Sequence, residues 1–115
     1  MRENKLADLS MNLAVRGLQF SEKIEGHYSL KNQFERAITS IGANIREANY
    51  AQSKADFISK LKIALKECYE TEYWLELFIR ANVTNAEKTQ ELLHDCGSIR
   101  RMLVSSVTTL KSNQQ

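Results

Sequence analysis

The absence of proline constrains the fold of this chain more than any other feature of its sequence. None of the 115 residues is a proline and only four are glycines. Short strands joined by tight turns depend on these two residue types, because proline fixes the backbone angle φ and glycine tolerates positive φ. The sequence therefore favours a few long helices over an all-β fold, and its length suits one domain.

Apolar residues recur at intervals of three or four along four segments, which is the spacing of one face of an α-helix. The first such face consists of Leu6, Leu9, Leu13, Gly17, Phe20 and Ile24. The predicted helices span about 3–24, 30–48, 53–81 and 84–111. Because the connections are short, consecutive helices must lie side by side in opposite directions. The predicted fold is an all-α, antiparallel up-down-up-down four-helix bundle that forms one domain over residues 1–115.

Three local signals support the predicted helix ends. Gly26 is able to take the left-handed conformation that ends a helix. Ser53 followed by Asp56 resembles a capping box at the start of the third helix, and Thr84 followed by Glu87 is a fuller one at the start of the fourth. These signals place the turns between the four segments.

Three glycines, Gly17, Gly42 and Gly97, fall inside predicted helices. Each costs about 1 kcal/mol relative to alanine at such a position. Close approach of a neighbouring helix is the favoured reason for all three, since phosphate binding would require a glycine-rich loop that the chain lacks.

Composition limits the classes of function. Sixteen Lys and Arg against fourteen Asp and Glu give a formal charge of +2, which does not mark an obligate nucleic-acid binder. The opening MRENKLADLS lacks the apolar run of a signal peptide, and nowhere do 18 apolar residues follow one another. The sequence therefore predicts a cytoplasmic protein that does not enter a membrane.

The sequence contains no recognisable set of catalytic residues. A di-iron bundle needs two Glu-x-x-His pairs and further glutamates, whereas only Glu91 and His94 form such a pair and His27 falls in a turn. We therefore predict no metal, no other cofactor and no enzymatic activity. Cys68 and Cys96 lie on core faces at nearly the same height, and two reduced, buried thiols are favoured over a reactive pair.

The third helix carries an unusual distribution of charge. Its first half sums to +3 and its second half to −3, which opposes the helix dipole. The first half contains Lys54, Asp56, Lys60, Lys62 and Lys66, and the second contains Glu67, Glu70, Glu72, Glu76 and Arg80. Pairing within the fold, head-to-tail contact between identical subunits, or a solvated face would each account for the pattern.

A second face of this helix could bind nucleic acid. Its candidate residues, with two arginines of the fourth helix, are Lys62, Lys66, Tyr69, Tyr73, Arg100 and Arg101. Lysines bind phosphates and exposed tyrosines stack on bases. The neighbouring glutamates argue against this interpretation, and a subunit contact or a plain solvated surface remains the alternative.

The run SIGANIREANYAQSKADFISKLKIALKECYETEYWLEL, residues 40–77, resembles the 23S rRNA intervening-sequence protein family, also called the four-helix-bundle protein family. Asn44, Ile45 and Glu47 match its Asn-Ile-x-Glu segment, and Ser53 matches the serine that opens its third helix. The chain departs from the family at 48–51, where relatives have a glycine and then an arginine. Hydrogen bonding of the turn and capping is the favoured role of Asn44, Glu47 and Ser53.

This resemblance implies a bacterial, non-enzymatic homo-oligomer, with five-subunit rings typical of relatives. It extends to the accessory variability proteins of diversity-generating retroelements, which associate with a reverse transcriptase and nucleic acid. The first functional hypothesis is therefore a ring-forming adaptor or accessory protein that binds RNA or DNA. The alternative is a protein–protein interaction module without a nucleic-acid role.

Overall fold

The computed structural model describes residues 4–112, and its regular elements within that range are four helices. They are α1 (Asn4–Glu22), α2 (Tyr28–Asn49), α3 (Lys54–Arg80) and α4 (Ala86–Ser112). Each helix packs on the next along the chain, and α1 also packs on α4, so that the four close into a bundle of 48 × 20 × 20 Å. The predicted all-α four-helix bundle is confirmed.

Contacts between the helices show that neighbours run in opposite directions. Gly17 of α1 meets Ile38 of α2, whereas Ser10, two turns earlier, meets Gly42, one turn later. The buried core that results is almost entirely apolar. Within residues 4–112, the buried polar side chains are Ser10, Ser21, Thr71 and Thr89. Each has a hydrogen-bond partner, because an unpaired polar group in the core would cost stability.

Three phenylalanines fill the end of the bundle where α1 joins α2 and α3 joins α4. The ring centroids of Phe34 and Phe78 are 5.7 Å apart, those of Phe20 and Phe34 are 5.8 Å apart, and those of Phe20 and Phe78 are 6.4 Å apart. Phe34 makes an edge contact with each of the other two rings, and such contacts add to the stabilisation that comes from burying the rings. Three helices are thereby joined at this end of the molecule.

The first turn lies two residues earlier in the chain than predicted. α1 ends at Glu22 rather than residue 24, and α2 begins at Tyr28 rather than residue 30. Gly26 has a φ of 73°, as its residue type indicated, and His27 follows with a φ of 53°. These two successive left-handed residues reverse the chain, and α2 begins at the next residue. Its first helical hydrogen bond runs from the N–H of Lys31 to the His27 carbonyl at 2.9 Å.

The start of α3 is confirmed, whereas the predicted start of α4 is wrong. The Ser53 hydroxyl accepts the N–H of Asp56 at 3.0 Å. α4 begins at Ala86, and its cap is Asn85, whose side-chain oxygen accepts the N–H of Lys88 at 3.2 Å. Asparagine caps a helix at least as well as threonine. The Thr84 hydroxyl does not cap the helix and instead shares a hydrogen bond with the Thr89 hydroxyl, with their oxygens 2.8 Å apart.

The turn between α3 and α4 begins with a defined set of hydrogen bonds at the end of α3. Asn82 has a φ of 59°, and its N–H bonds to the Ile79 carbonyl at 3.1 Å. The next N–H, of Val83, bonds to the Phe78 carbonyl at 3.0 Å, which completes a Schellman motif. Val83 packs on the core, so this motif also seals the end of the bundle.

Close helix approach explains two of the three helical glycines. A Cβ on Gly17 would lie within 3.2 Å of Ile38 Cγ2, and one on Gly42 would lie 3.2 Å from the Ser10 hydroxyl. The prediction is wrong for Gly97, because a Cβ there would meet only the arginines of its own helix, with Arg101 Nη1 at 3.2 Å. Gly97 therefore provides the surface on which these arginines lie.

Replacing each of two glycines by alanine should have different effects on stability. Gly17→Ala is expected to lower the free energy of unfolding by about 1–3 kcal/mol, because the fully buried side chain of Ile38 would have to shift to admit the new methyl group. Gly97→Ala should leave it unchanged or raise it by up to about 1 kcal/mol, since the arginine tips can shift and alanine favours the helix. Urea denaturation of both variants measures the difference, and equal effects would contradict it.

Candidate nucleic-acid interface

The structure brings four of the six candidate residues onto the outer face of α3. Lys62, Lys66, Tyr69 and Tyr73 follow one another at steps of four, three and four, and all four are exposed. The tyrosines are 54% and 59% exposed, and the ring of Tyr73 is supported edge-on by Trp74 at 5.1 Å. This face therefore presents two aromatic rings beside two cations.

Arg100 lies at the edge of this face but is directed toward α3. Its Nε donates to Glu72 at 2.7 Å, and its guanidinium lies 5.5 Å from the centre of the Tyr69 ring. The hydrogen bond to Glu72 is the largest cause that raises the pKa of Arg100 above its usual value. Arg100 therefore holds α4 to α3 and positions the Tyr69 ring.

Arg101 contributes a second guanidinium on α4. It is exposed, and its Nη2 donates to the Ser98 hydroxyl at 3.3 Å. Its Nη1 and the Nη2 of Arg100 lie 3.2 Å and 3.5 Å from the position that a Gly97 Cβ would occupy. The absence of a side chain at Gly97 thus allows both guanidiniums to lie against this part of α4.

Lys111 is a further cation on this side of the bundle that the sequence analysis did not include. It lies beside Lys62, and electrostatic repulsion from Lys111 lowers the pKa of Lys62 below its usual value. The antiparallel pairing of α3 with α4 could have indicated only that the later part of α4 lies beside the first half of α3, because Cys96 contacts Cys68 between the two helices. Two like charges held together in this way favour the binding of an anion.

Most of the glutamates in the second half of α3 have cationic partners within the chain. Arg36 of α2 donates to Glu67 at 2.8 Å and also to Glu70. Glu72 is paired with Arg100. The negative half of α3 is therefore compensated largely by pairing within the fold, whereas Lys62 and Lys66 of the positive half have no ion-pair partner among residues 4–112.

The pairing of Arg36 predicts a pH-dependent contribution to stability. The pKa of Glu70 lies below its usual value, chiefly because the Trp74 indole N–H donates to the carboxylate and secondly because Arg36 binds it. A carboxyl group whose pKa is lower in the folded state stabilises the fold above its unfolded pKa of about 4.3. That contribution is lost as the pH falls through the folded value.

We therefore expect Arg36→Met to lower the free energy of unfolding by about 1 kcal/mol at pH 7. The difference from the original protein should shrink as the pH is lowered from about 5 to 3, since the carboxylates become protonated. Arg46→Met is the matched control on the same helix, and its effect should not depend on pH. Urea denaturation at pH 7 and at about pH 3 measures both variants. If Arg36→Met lowered the free energy of unfolding by the same amount at both pH values, the expectation would be wrong.

The three family-motif residues make contacts within the chain. The side-chain amide of Asn44 donates to the Ser40 carbonyl at 2.8 Å. Glu47 lies 3.3 Å from Lys60 and so links α2 to α3, and Ser53 caps α3. These contacts agree with a structural role for the motif.

The two cysteines, which the sequence analysis placed at nearly the same height, are in contact. Both are buried and reduced, and the Cys96 thiol donates to the Cys68 carbonyl at 3.6 Å. Contact with Cys68 and burial raise the pKa of Cys96 well above its usual range. Since the thiolate is the nucleophilic form, this environment opposes reactivity and supports the interpretation of two small core residues.

The structure also bears on the possibilities of metal binding and membrane crossing that were considered for the sequence. Glu91 and His94 are both exposed on α4. Across residues 4–112, no three His, Cys, Asp or Glu side chains come close enough together to hold a metal ion. In the same range, no helix has the length and apolar character needed to cross a membrane.

Comparison with known proteins finds a family model and solved structures that this chain matches. The model of the 23S rRNA-intervening sequence protein family matches residues 2–105. The chain is also similar to a crystal structure of a protein of unknown function from the S23 ribosomal protein family of Bacteroides thetaiotaomicron. The two are 44% identical with a TM-score of 0.83, over 89% of this chain and 97% of that one. No curated protein matches.

Proposed function

Since the chain belongs to the 23S rRNA-intervening sequence protein family, we propose that it is a non-enzymatic accessory protein that binds single-stranded RNA or DNA. The binding surface is the outer face of α3 together with the adjoining end of α4. In this proposal the protein acts as a homo-oligomeric ring, as its resemblance to ring-forming relatives implies, and a reverse transcriptase is a possible protein partner.

The observation that carries this proposal is a set of unpaired cations beside exposed aromatic rings. In residues 4–112, no carboxylate lies within ion-pair distance of Lys62, Lys66 or Lys111. The adjoining glutamates, which argued against nucleic acid, are largely neutralised by Arg36 and Arg100. A phosphate backbone would therefore meet a surface that is more positive than the sequence of α3 indicates.

The exposed tyrosines favour a single strand over a duplex. Bases can stack on Tyr69 and Tyr73 only where they are not already stacked within a double helix. Such stacking is worth about 1–3 kcal/mol per base and tolerates any sequence. The lysines at the preceding turns of α3 would then bind the phosphates that flank those bases.

Titration of a labelled 20-nucleotide single-stranded RNA, followed by fluorescence anisotropy, tests this function. We expect binding that weakens with salt, with a slope of about −2 in a plot of log affinity against log salt, because three lysines would each release a counterion. A duplex of the same length should bind more weakly. Absence of binding at about 50 mM salt would refute the proposal.

The proposed assembly is supported by the outer face of α1. Met11, Val15 and Leu18 lie on it at steps of four and three and are 50%, 46% and 40% exposed. Apolar residues grouped on an exposed face are typical of a contact with another chain. Sedimentation equilibrium should give a mass several times the 13.2 kDa of one chain. Val15→Asp should lower that mass, and a monomeric original protein would exclude the ring.

The same apolar face carries the second candidate function, which is binding of a protein partner without nucleic acid. In that case the face of α1 would remain open in the isolated protein, which would be monomeric and indifferent to RNA. Copurification with a reverse transcriptase after nuclease treatment, abolished by Val15→Asp, would select this alternative. Loss of copurification on nuclease treatment would exclude it.

A further inference from the structure

A groove lies between α1 and α4 at the end of the bundle opposite Lys62 and Lys111. It has a volume of about 490 Å³, and the turn between α3 and α4 closes one side of it. This volume lies within the range of about 300–1,000 Å³ that is typical of small-molecule sites. None of the residues proposed above to bind nucleic acid lines the groove.

The floor of the groove is apolar and firmly held. Phe20, Ile24, Val83 and Leu92 line it, and all four belong to or pack against the main core. Ile24 and Leu92 are almost completely buried, whereas Phe20 is partly exposed and rests on Phe34. An apolar group of a ligand would therefore enter a surface that is already formed.

The rim of the groove carries an excess of positive charge. The charge of Arg16 is balanced by Asp95, which its guanidinium contacts at 2.6 Å. Lys23 and Lys88 remain, and in the described part of the chain neither has a carboxylate within ion-pair distance. With Glu91 as the one acidic residue on the rim, the groove has an uncompensated positive charge.

The start of α4 adds to this polarity. The helix begins at Ala86, next to the groove, and its first N–H groups point away from the body of the helix. The dipole of a 27-residue helix places partial positive charge at this end. Two lysines and an apolar floor thus line one open groove, and the start of α4 lies at its edge.

We propose that this groove binds a small organic anion with an apolar body, such as an aryl or alkyl carboxylate or phosphate. The apolar body lies on Phe20 and Leu92, and the anionic group lies between Lys23 and Lys88. This site is separate from the nucleic-acid surface and would give the protein a small-molecule ligand.

Titration of the full chain with three naphthalene probes tests the proposal. The probes are 1-naphthyl phosphate, 1-naphthaleneacetate and the neutral 2-(1-naphthyl)ethanol, followed by the amide chemical shifts of the protein. We expect both anions to shift amides of the groove residues and to bind at least tenfold more tightly than the alcohol. Comparison of the two anions separates a phosphate site from a carboxylate site. Equal binding of all three, or shifts outside the groove alone, would overturn the proposal.

Matched variants separate the charge of the rim from general effects of charge. Lys23→Gln with Lys88→Gln should weaken binding of the anions about tenfold and leave binding of the alcohol unchanged. Lys5→Gln with Lys54→Gln removes the same charge from exposed or half-exposed positions elsewhere and should change neither. Gln19→Trp, on the exposed rim, should obstruct binding of all three probes. Equal losses in the two double variants would refute the proposed role of the rim lysines.

Discussion

Replacing Lys62, Lys66 and Lys111 together by glutamine is expected to lower the affinity for single-stranded RNA about 100-fold at 0.1 M salt. Each lysine that neutralises a phosphate on a single strand contributes about 0.7 to the salt slope, so the loss of three should reduce the slope by about 2. Fluorescence anisotropy at several salt concentrations measures both quantities. The change in slope identifies the loss as one of phosphate contacts rather than of folding.

The control for this variant removes three cations from elsewhere in the molecule. Lys5→Gln, Arg46→Gln and Lys54→Gln, combined, lower the formal charge by the same amount from α1, α2 and the first turn of α3. We expect this variant to lose less than about threefold in affinity at 0.1 M salt, because dispersed charges attract RNA only through a screened field. Equal losses in both triple variants would mean that no particular face binds the strand.

Tyr69 and Tyr73 should contribute in a different way. Their substitution would remove stacking, which does not release counterions, so affinity should fall while the salt slope stays the same. The proposed surface therefore has two separable parts, one measured by the slope and the other by affinity at constant slope. A purely electrostatic attraction would show only the first.

The bundle itself could be predicted from the sequence because its determinants are local. Helical periodicity and the cap at Ser53 act within a few residues, so each can be recognised before the tertiary structure is known. The start of α4 could not be fixed in this way, since two candidate caps, Thr84 and Asn85, stand next to each other. The Schellman motif at Asn82 and the capping bonds of Asn85 accompany a start at Ala86.

The candidate interface was harder to predict because its charges are set by partners on other helices. Nothing in the spacing of α3 reveals that Arg36 binds Glu67 and Glu70, or that Arg100 is directed toward Glu72. Lys111 became part of this side of the bundle only through the pairing of α3 with α4. The groove was harder still to predict, since its lining comes from α1, α4 and the turns that follow α1 and α3, and it has no sequence motif.

The aromatic cluster predicts the largest loss of stability. Phe34→Ala should lower the free energy of unfolding by about 3–5 kcal/mol, because the ring is fully buried and contacts Phe20 and Phe78 at once. Such a loss is a large part of the roughly 5–15 kcal/mol by which domains are stable. Urea denaturation followed by far-ultraviolet circular dichroism measures it.

Tyr28→Ala provides the control because it removes an aromatic ring from the same helix at a position that is 73% exposed. Its effect should stay below about 1 kcal/mol, which allows for the contact of Lys31 with the Tyr28 ring. If Phe34→Ala were as mild as this control, the rings could not be packed as described. Phe20 rests on Phe34 and also lines the groove. If the Phe34→Ala variant remains folded, it should therefore bind the three naphthalene probes more weakly. RNA affinity should persist in that variant, since Lys62, Lys66 and Lys111 lie toward the other end of the bundle and have no contact with this cluster.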